Sequence, residues 1–132
     1  GLDYPHGTGH GVGYFLNVHE GPIAISKGYK IKLKPGHVIS NEPGFYKKGK
    51  FGIRIENMIY VKQVKSKVFF ENLTMVPIEK ELINFNLLNR DEKNYLLNYN
   101  LRIYSNVEKY LNYKEKFWLL SQFWNFFKIC LV

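Results

Sequence analysis

Glycine occupies every second position of His6-Gly-Thr-Gly-His-Gly-Val-Gly13, at 7, 9, 11 and 13. In a helix interior each would cost about 0.8–1 kcal/mol relative to alanine. The run is therefore expected as extended, close-packed backbone, where a missing Cβ lets another strand or a ligand approach. His6 and His10 have the four-residue spacing of a helical ligand pair, but on extended backbone they need not bind the same ion.

The rest of the chain reads as strands followed by helices, an α+β arrangement built on an antiparallel sheet. Ile31-Lys32-Leu33 alternates like a strand, Pro35-Gly36 makes a turn, and Val38-Ile39 begins a second strand. After a turn at Pro43-Gly44, the alternation from Phe51 to Val61 predicts one continuous strand. It sets Ile53, Ile55 and Asn57 on one face and Arg54, Glu56 and Met58 on the other. A further strand is expected from Phe69 to Pro77. Asn89, with Asp91 and Glu92 behind it, has the form of a helix start. Tyr95, Leu96, Tyr99, Ile103, Val107, Tyr110 and Leu111 then mark one helical face. A second helix is expected over about 114–127. The division drawn from this pattern is a sheet-rich part, 1–78, and a helical extension, 79–132.

Composition serves to exclude. The net charge of +8 comes from scattered lysines, with no block of like charge and no nucleic-acid-binding motif, so a solvated surface is expected and no nucleic-acid partner. The lone cysteine, Cys130, cannot form an internal disulfide and stands in an apolar tail without a catalytic motif. A cytoplasmic location is expected. The apolar end, 117–132, carries Ser121, Gln122, Asn125 and Lys128 and falls short of the roughly 20 apolar residues of a membrane span. It reads as a core or dimer-interface helix, with no membrane partner. The chain opens at Gly1 with neither an initiator methionine nor a targeting segment, so it is expected to begin inside a longer polypeptide.

Four segments carry the chemistry: HGTGHGVG at 6–13, NVHEGP at 17–22, NEPGFY at 41–46 and FGIRIEN at 51–57. They hold His6, His10, His19, Glu42, Arg54 and Glu56, whereas His37 stands apart in a turn and reads as structural. Imidazole and carboxylate together suit a first-row divalent ion. A zinc finger is excluded because no cysteine cluster exists. A phosphate loop is excluded because the glycine run lacks a GK[ST] ending and a following helix.

In this order the segments resemble the pita-bread metallopeptidases, specifically the eukaryotic-type Xaa-Pro aminopeptidase (aminopeptidase P) family. The resemblance continues through LTMVPIEKELI at 73–83 and LLNYNLRIY at 96–104, covering about residues 1–115. It implies the C-terminal part of a pita-bread fold and release of the N-terminal residue from peptides with proline second. His10, Glu42 and Glu56 are implied as metal ligands, Glu56 as the bridge between two ions, usually manganese. Glu42 is further implied as proton acceptor beside the nucleophilic water, His6 as a residue near the substrate, and His19 as the group stabilising the tetrahedral intermediate. Arg54 is expected to orient a neighbouring carboxylate through its planar fork. The family also uses two aspartate ligands and a further histidine ahead of this region. The only aspartate before His6 is Asp3, part of the LDYPHGTGH run and too close to be either ligand. The chain alone is therefore expected to bind metal weakly and to be inactive, and the complete protein to be a homodimeric enzyme. The alternative is a non-catalytic pita-bread module that binds peptides or proteins.

Overall fold

The computed structural model describes residues 3–15 and 17–130, with side chains described as far as Phe123. The chain divides into two compact units, Gly1–Thr74 and Met75–Val132. The first holds all the strands and the second the long helices, so the α+β expectation is met.

In the first unit, β1 (Gly9–His10) pairs antiparallel with β2 (Ala24–Ile25). β3 (Val38–Asn41) pairs with β6 (Asn57–Val64), which pairs in turn with β7 (Lys67–Asn72). β4 (Gly44–Lys47) and β5 (Phe51–Arg54) form a separate ribbon. Ile39, Ile59 and Val61 are buried where β3 and β6 run side by side. A bridge from Gly11 to Ile39 ties the glycine run to β3. That approach is possible because Gly9 has no side chain: a Cβ there would lie 1.9 Å from the carbonyl oxygen of Ser40.

The strand expected from Phe51 to Val61 is broken at Ile55-Glu56, and the break has a physical cause. Pro43 has no N–H and cannot extend the β3 ladder, so the chain leaves β3 at Glu42-Pro43 and re-pairs as β4. Its partner must switch at the same level. Asn41 still faces Asn57 in one ladder, while Gly44 already faces Arg54 in the other. Glu42-Pro43 and Ile55-Glu56 therefore occupy the junction between the two ladders, where the Ile55 N–H reaches the Pro43 carbonyl at 3.3 Å. The turn expected at Pro43-Gly44 is this junction, with Gly44 already inside β4.

Two further expectations shift. Ile31-Lys32-Leu33 joins no ladder among the described residues, and its alternation reflects solvent exposure of Ile31 and Lys32. The strand expected over Phe69–Pro77 begins at Lys67 and ends at Asn72, because the Leu73 and Thr74 N–H groups both turn to the Met58 carbonyl.

In the second unit, α1 (Arg90–Val107) starts at the expected cap. Asn89 Oδ1 accepts from the Glu92 N–H at 3.0 Å, and Glu92 Oε2 accepts from the Asn89 N–H at 2.9 Å. This reciprocal pair satisfies two donors that a helix start otherwise leaves open. Asn112 and Glu115 repeat it ahead of α2 (Tyr113–Cys130), at 3.1 and 2.8 Å. α1 stops at Val107, before the expected face ends at Leu111; Leu111 still packs against the core, whereas Tyr110 is exposed. Tyr99 and Ile103 of α1 pack with Leu119 and Phe123 of α2 in the core of this unit. The side chains of the apolar tail beyond Phe123, Cys130 included, lie outside the described residues. No helix among the described residues is long and apolar enough to cross a membrane. Asn89→Ala, which removes a cap of ordinary strength, is expected to destabilise the chain by about 1 kcal/mol, read as a lower urea midpoint at unchanged slope.

Candidate metal centre

His10 is the last residue of β1, and its own surroundings set its chemistry. The ring Nδ1 lies 2.9 Å from the Gly11 carbonyl oxygen. A carbonyl only accepts, so Nδ1 is the donor, and in the neutral ring Nε2 presents its lone pair. Nε2 points at Glu42 Oε1, 3.3 Å away. Glu42 projects from the ladder junction, its side chain only 12% exposed. Its backbone N–H donates to the Thr8 carbonyl at 2.7 Å, which locks the junction against the glycine run. Glu56, exposed, comes from the other half of the junction. One ligand atom from each of His10, Glu42 and Glu56 lies within 4.8 Å of the others.

This donor set fits a divalent cation. An imidazole lone pair and a carboxylate oxygen facing each other at 3.3 Å are two acceptors. Only a proton or a cation between them makes the arrangement favourable, and the second carboxylate adds negative charge beside them.

Arg54 lies next to the group. Its Nη1 is 3.6 Å from Glu42 Oε2, and its Nε donates to the Tyr46 hydroxyl at 3.1 Å. The Tyr46 hydroxyl, and after it the charges of Glu42 and Glu56, hold the guanidinium pKa above its ordinary value. The carboxylate that Arg54 pairs with is thus Glu42. The interruption of the strand at Ile55-Glu56 removes the continuous strand face expected to carry both Arg54 and Glu56.

The other two histidines take different positions. His19 is exposed, and its ring lies 4.0 Å from that of His10, centroid to centroid and tilted by 32°. The Glu20 N–H donates to the Gly11 carbonyl at 2.8 Å, which lays the intervening loop back over β1 and carries His19 to His10. His6 stands outside the group of three. Its Nδ1 meets the Gly7 carbonyl at 2.8 Å and its Nε2 the Tyr46 hydroxyl at 2.7 Å. Nδ1 must be the donor there, so with a neutral ring Tyr46 donates to His6 while accepting from Arg54. Asp3 is exposed and pairs with Lys27 at 2.9 Å, a hydrogen bond that holds its carboxyl below the usual range. His37 Nδ1 accepts from the Lys34 N–H at 3.1 Å within its turn.

Two residues at the site were not singled out in the sequence, Ser40 and Tyr46. Ser40 sits two positions before Glu42, and Tyr46 ends the NEPGFY segment, so a period-two reading outward from Glu42 was the available signal.

Comparison with known proteins gives the family. Residues 1–63 match the model of metallopeptidase family M24, and residues 67–123 match that of the C-terminal region of peptidase M24. A probable Xaa-Pro aminopeptidase P of Botryotinia fuckeliana (strain B05.10) is 51% identical over 126 residues, which are 87% of this chain and 19% of that protein. One from Talaromyces marneffei (strain ATCC 18224 / CBS 334.59 / QM 7333) is 46% identical over 126 residues, again 87% of this chain and 19% of its own length. The crystal structure of X-prolyl aminopeptidase from Caenorhabditis elegans, described as a cytosolic enzyme with a di-nuclear active site, superposes with a TM-score of 0.75 at 41% identity. That match covers 92% of this chain and 22% of the enzyme, so the chain spans about a fifth of the relatives it resembles. With nearly all of its length matched by the family's two models, and a donor group suited to a divalent metal at the ladder junction, the chain belongs to metallopeptidase family M24.

Proposed function

We propose that this chain supplies part of the dinuclear centre of an Xaa-Pro aminopeptidase, which releases the first residue of peptides with proline second. The observation that carries the reading is the convergence of His10, Glu42 and Glu56 within 4.8 Å, from three segments far apart in sequence. In this reading His10, Glu42 and Glu56 would hold the ions, taken as manganese. Two aspartate ligands come from outside these 132 residues. Bound metal supplies a water acidic enough to ionise at neutral pH and positive charge opposite the charge that develops in the reaction. The chain's own groups do the rest. Glu42 takes the water proton on a carboxylate oxygen, with Arg54 beside it limiting where that carboxylate can turn. His19 donates to the oxygen that becomes negative as the tetrahedral intermediate forms. His6, its Nε2 held by the Tyr46 hydroxyl, contacts the peptide. The whole protein is taken to be a homodimer, and its cytoplasmic location is supported by resemblance to a cytosolic relative.

The test is peptide cleavage by the native gene product that carries this chain, supplied with manganese. Tripeptides with proline second are expected to lose their first residue, those with alanine second to resist, and a chelator to stop the reaction. The purified 132-residue chain is expected to show no turnover, because two ligands are absent. Turnover by the chain alone would mean that the site is built from other residues. Peptide binding without cleavage by the gene product would favour the non-catalytic binding module.

A further inference from the structure

Ser40 is one of two polar residues in the buried set among the described residues, 1% exposed, on β3, which ends at Asn41, one residue before Glu42. Its hydroxyl makes two hydrogen bonds whose directions are forced. The His10 backbone N–H, 2.9 Å away, can only donate, so Ser40 Oγ accepts from it. The single hydroxyl proton then goes to Glu42 Oε1, also at 2.9 Å. This is the same carboxylate oxygen that lies 3.3 Å from His10 Nε2.

We infer that Ser40 is a positioning residue for the metal centre, acting through Glu42 and the backbone of His10; the inference rests on the reading of His10 and Glu42 as ligands. Ladder pairing of β3 uses main-chain groups, and its contribution to the apolar core comes from Ile39. Neither requires a hydroxyl at position 40. What the hydroxyl does is add a hydrogen-bonded link between two ligand-bearing segments that also meet through the Glu42 N–H bond to Thr8. It ties the strand of His10 to the side chain of Glu42, and it uses one lone pair of Oε1 so that the carboxylate keeps a single orientation toward His10. Oxygen ligands free to rotate lose orientational entropy when an ion binds, whereas a carboxylate already held has less to lose. The space that allows this comes from Gly9, where even an added Cβ would stand 3.4 Å from Ser40 Oγ and far closer to its carbonyl.

Removing such a supporting hydrogen bond typically costs about 10–100-fold in metal affinity or activity. The experiment titrates cobalt(II) into the metal-free native gene product, follows the visible absorption of the bound ion, and measures kcat and KM separately. Ser40→Ala is expected to weaken cobalt binding by about 10–100-fold and to alter the absorption band, with kcat falling more than KM rises. Ser40→Thr keeps the hydroxyl and is expected to bind within a few-fold of the parent, although its extra methyl in a buried place lowers the unfolding midpoint. If the role were only structural, affinity would follow stability, and Ser40→Thr would lose cobalt along with Ser40→Ala. That result, or an unchanged affinity in Ser40→Ala, overturns the inference. Should Ser40→Ala fail to fold, Ser40→Cys makes the same comparison, because it keeps the volume and replaces a strong donor by a weak one. Glu42→Ala separates the two levels. If the parent takes up no cobalt, or Glu42→Ala binds as the parent does, the metal-centre reading falls and the positioning role falls with it. If cobalt binding needs Glu42 but is indifferent to residue 40, only the positioning role is lost.

Discussion

Glu56→Ala in the native gene product is expected to abolish peptidase activity and to strip metal from the protein, while leaving the fold intact. Glu56 is exposed and lies in the junction between β5 and β6, so its truncation removes neither core packing nor a ladder bond. Surface changes of that kind usually stay within about 0.5 kcal/mol of the parent. The loss should therefore be chemical: in the proposed role Glu56 would help hold both ions, and its removal would release at least one of them. His19→Ala is the contrast. His19 is also exposed and lies against His10, but in the proposed role its hydrogen bond strengthens only as charge develops on the tetrahedral oxygen. Loss of one such donor lowers kcat by about 10²–10³, with metal content unchanged. Metal analysis of both purified variants beside their kinetics gives the answer. A His19→Ala protein as depleted of metal as Glu56→Ala would make His19 a ligand and void the division of roles.

Gly9→Ala is expected to be the most damaging single-methyl change in the first unit. The added Cβ would lie 1.9 Å from the carbonyl oxygen of Ser40 and 2.9 Å from its carbonyl carbon, both backbone atoms that cannot rotate away. Relief requires β1 to move off β3. That breaks the bridge between Gly11 and Ile39, the Glu42 N–H bond to Thr8 and the His10 N–H bond to Ser40 Oγ. Overpacking costs about 1–3 kcal/mol, and stranding a buried backbone group about 1–3 kcal/mol more. A loss of about 3 kcal/mol or more is the expectation, read from chemical unfolding of the 132-residue chain, with cobalt uptake by the gene product falling in parallel. Gly7→Ala is the control within the same run. Its added Cβ would meet the Ser26 side chain at 3.4 Å, an ordinary contact, and the change should cost about 0.5 kcal/mol or less. Equal effects at the two positions would show that the glycine run is not needed for close approach.

The same two glycines mark where reading the sequence stops. Alternating glycine excluded a helix and called for close approach, and both follow from local backbone energetics. Which glycine is crowded does not, because the crowding atom on Ser40 belongs to a strand far along the chain. Asn89 could be read as a helix start since a capping box lies within four residues. Asn112 and Glu115 have the same pattern, and α2 begins at Tyr113, one residue before the expected start at about Lys114. The alternation from Phe51 to Val61 suggested one strand, since a period of two reports which face a residue lies on and is blind to which strand it pairs with. The junction at Ile55-Glu56 is invisible to it.

The residue types of the candidate centre, their order and the family they indicate were determined by the sequence alone. Imidazole and carboxylate chemistry belongs to the side chains, and the four segments keep their identity whatever the chain does between them. Only the tertiary structure decided that the two carboxylates meet. Pro43 ends one ladder for want of an N–H, and the paired strand must change partner at the same level. Glu42 and Glu56 are thereby left facing each other in the gap, with His10 brought alongside by a glycine that has no side chain to keep β1 away. Pairing register across long loops, a sum of many weak contacts between distant segments, set that outcome.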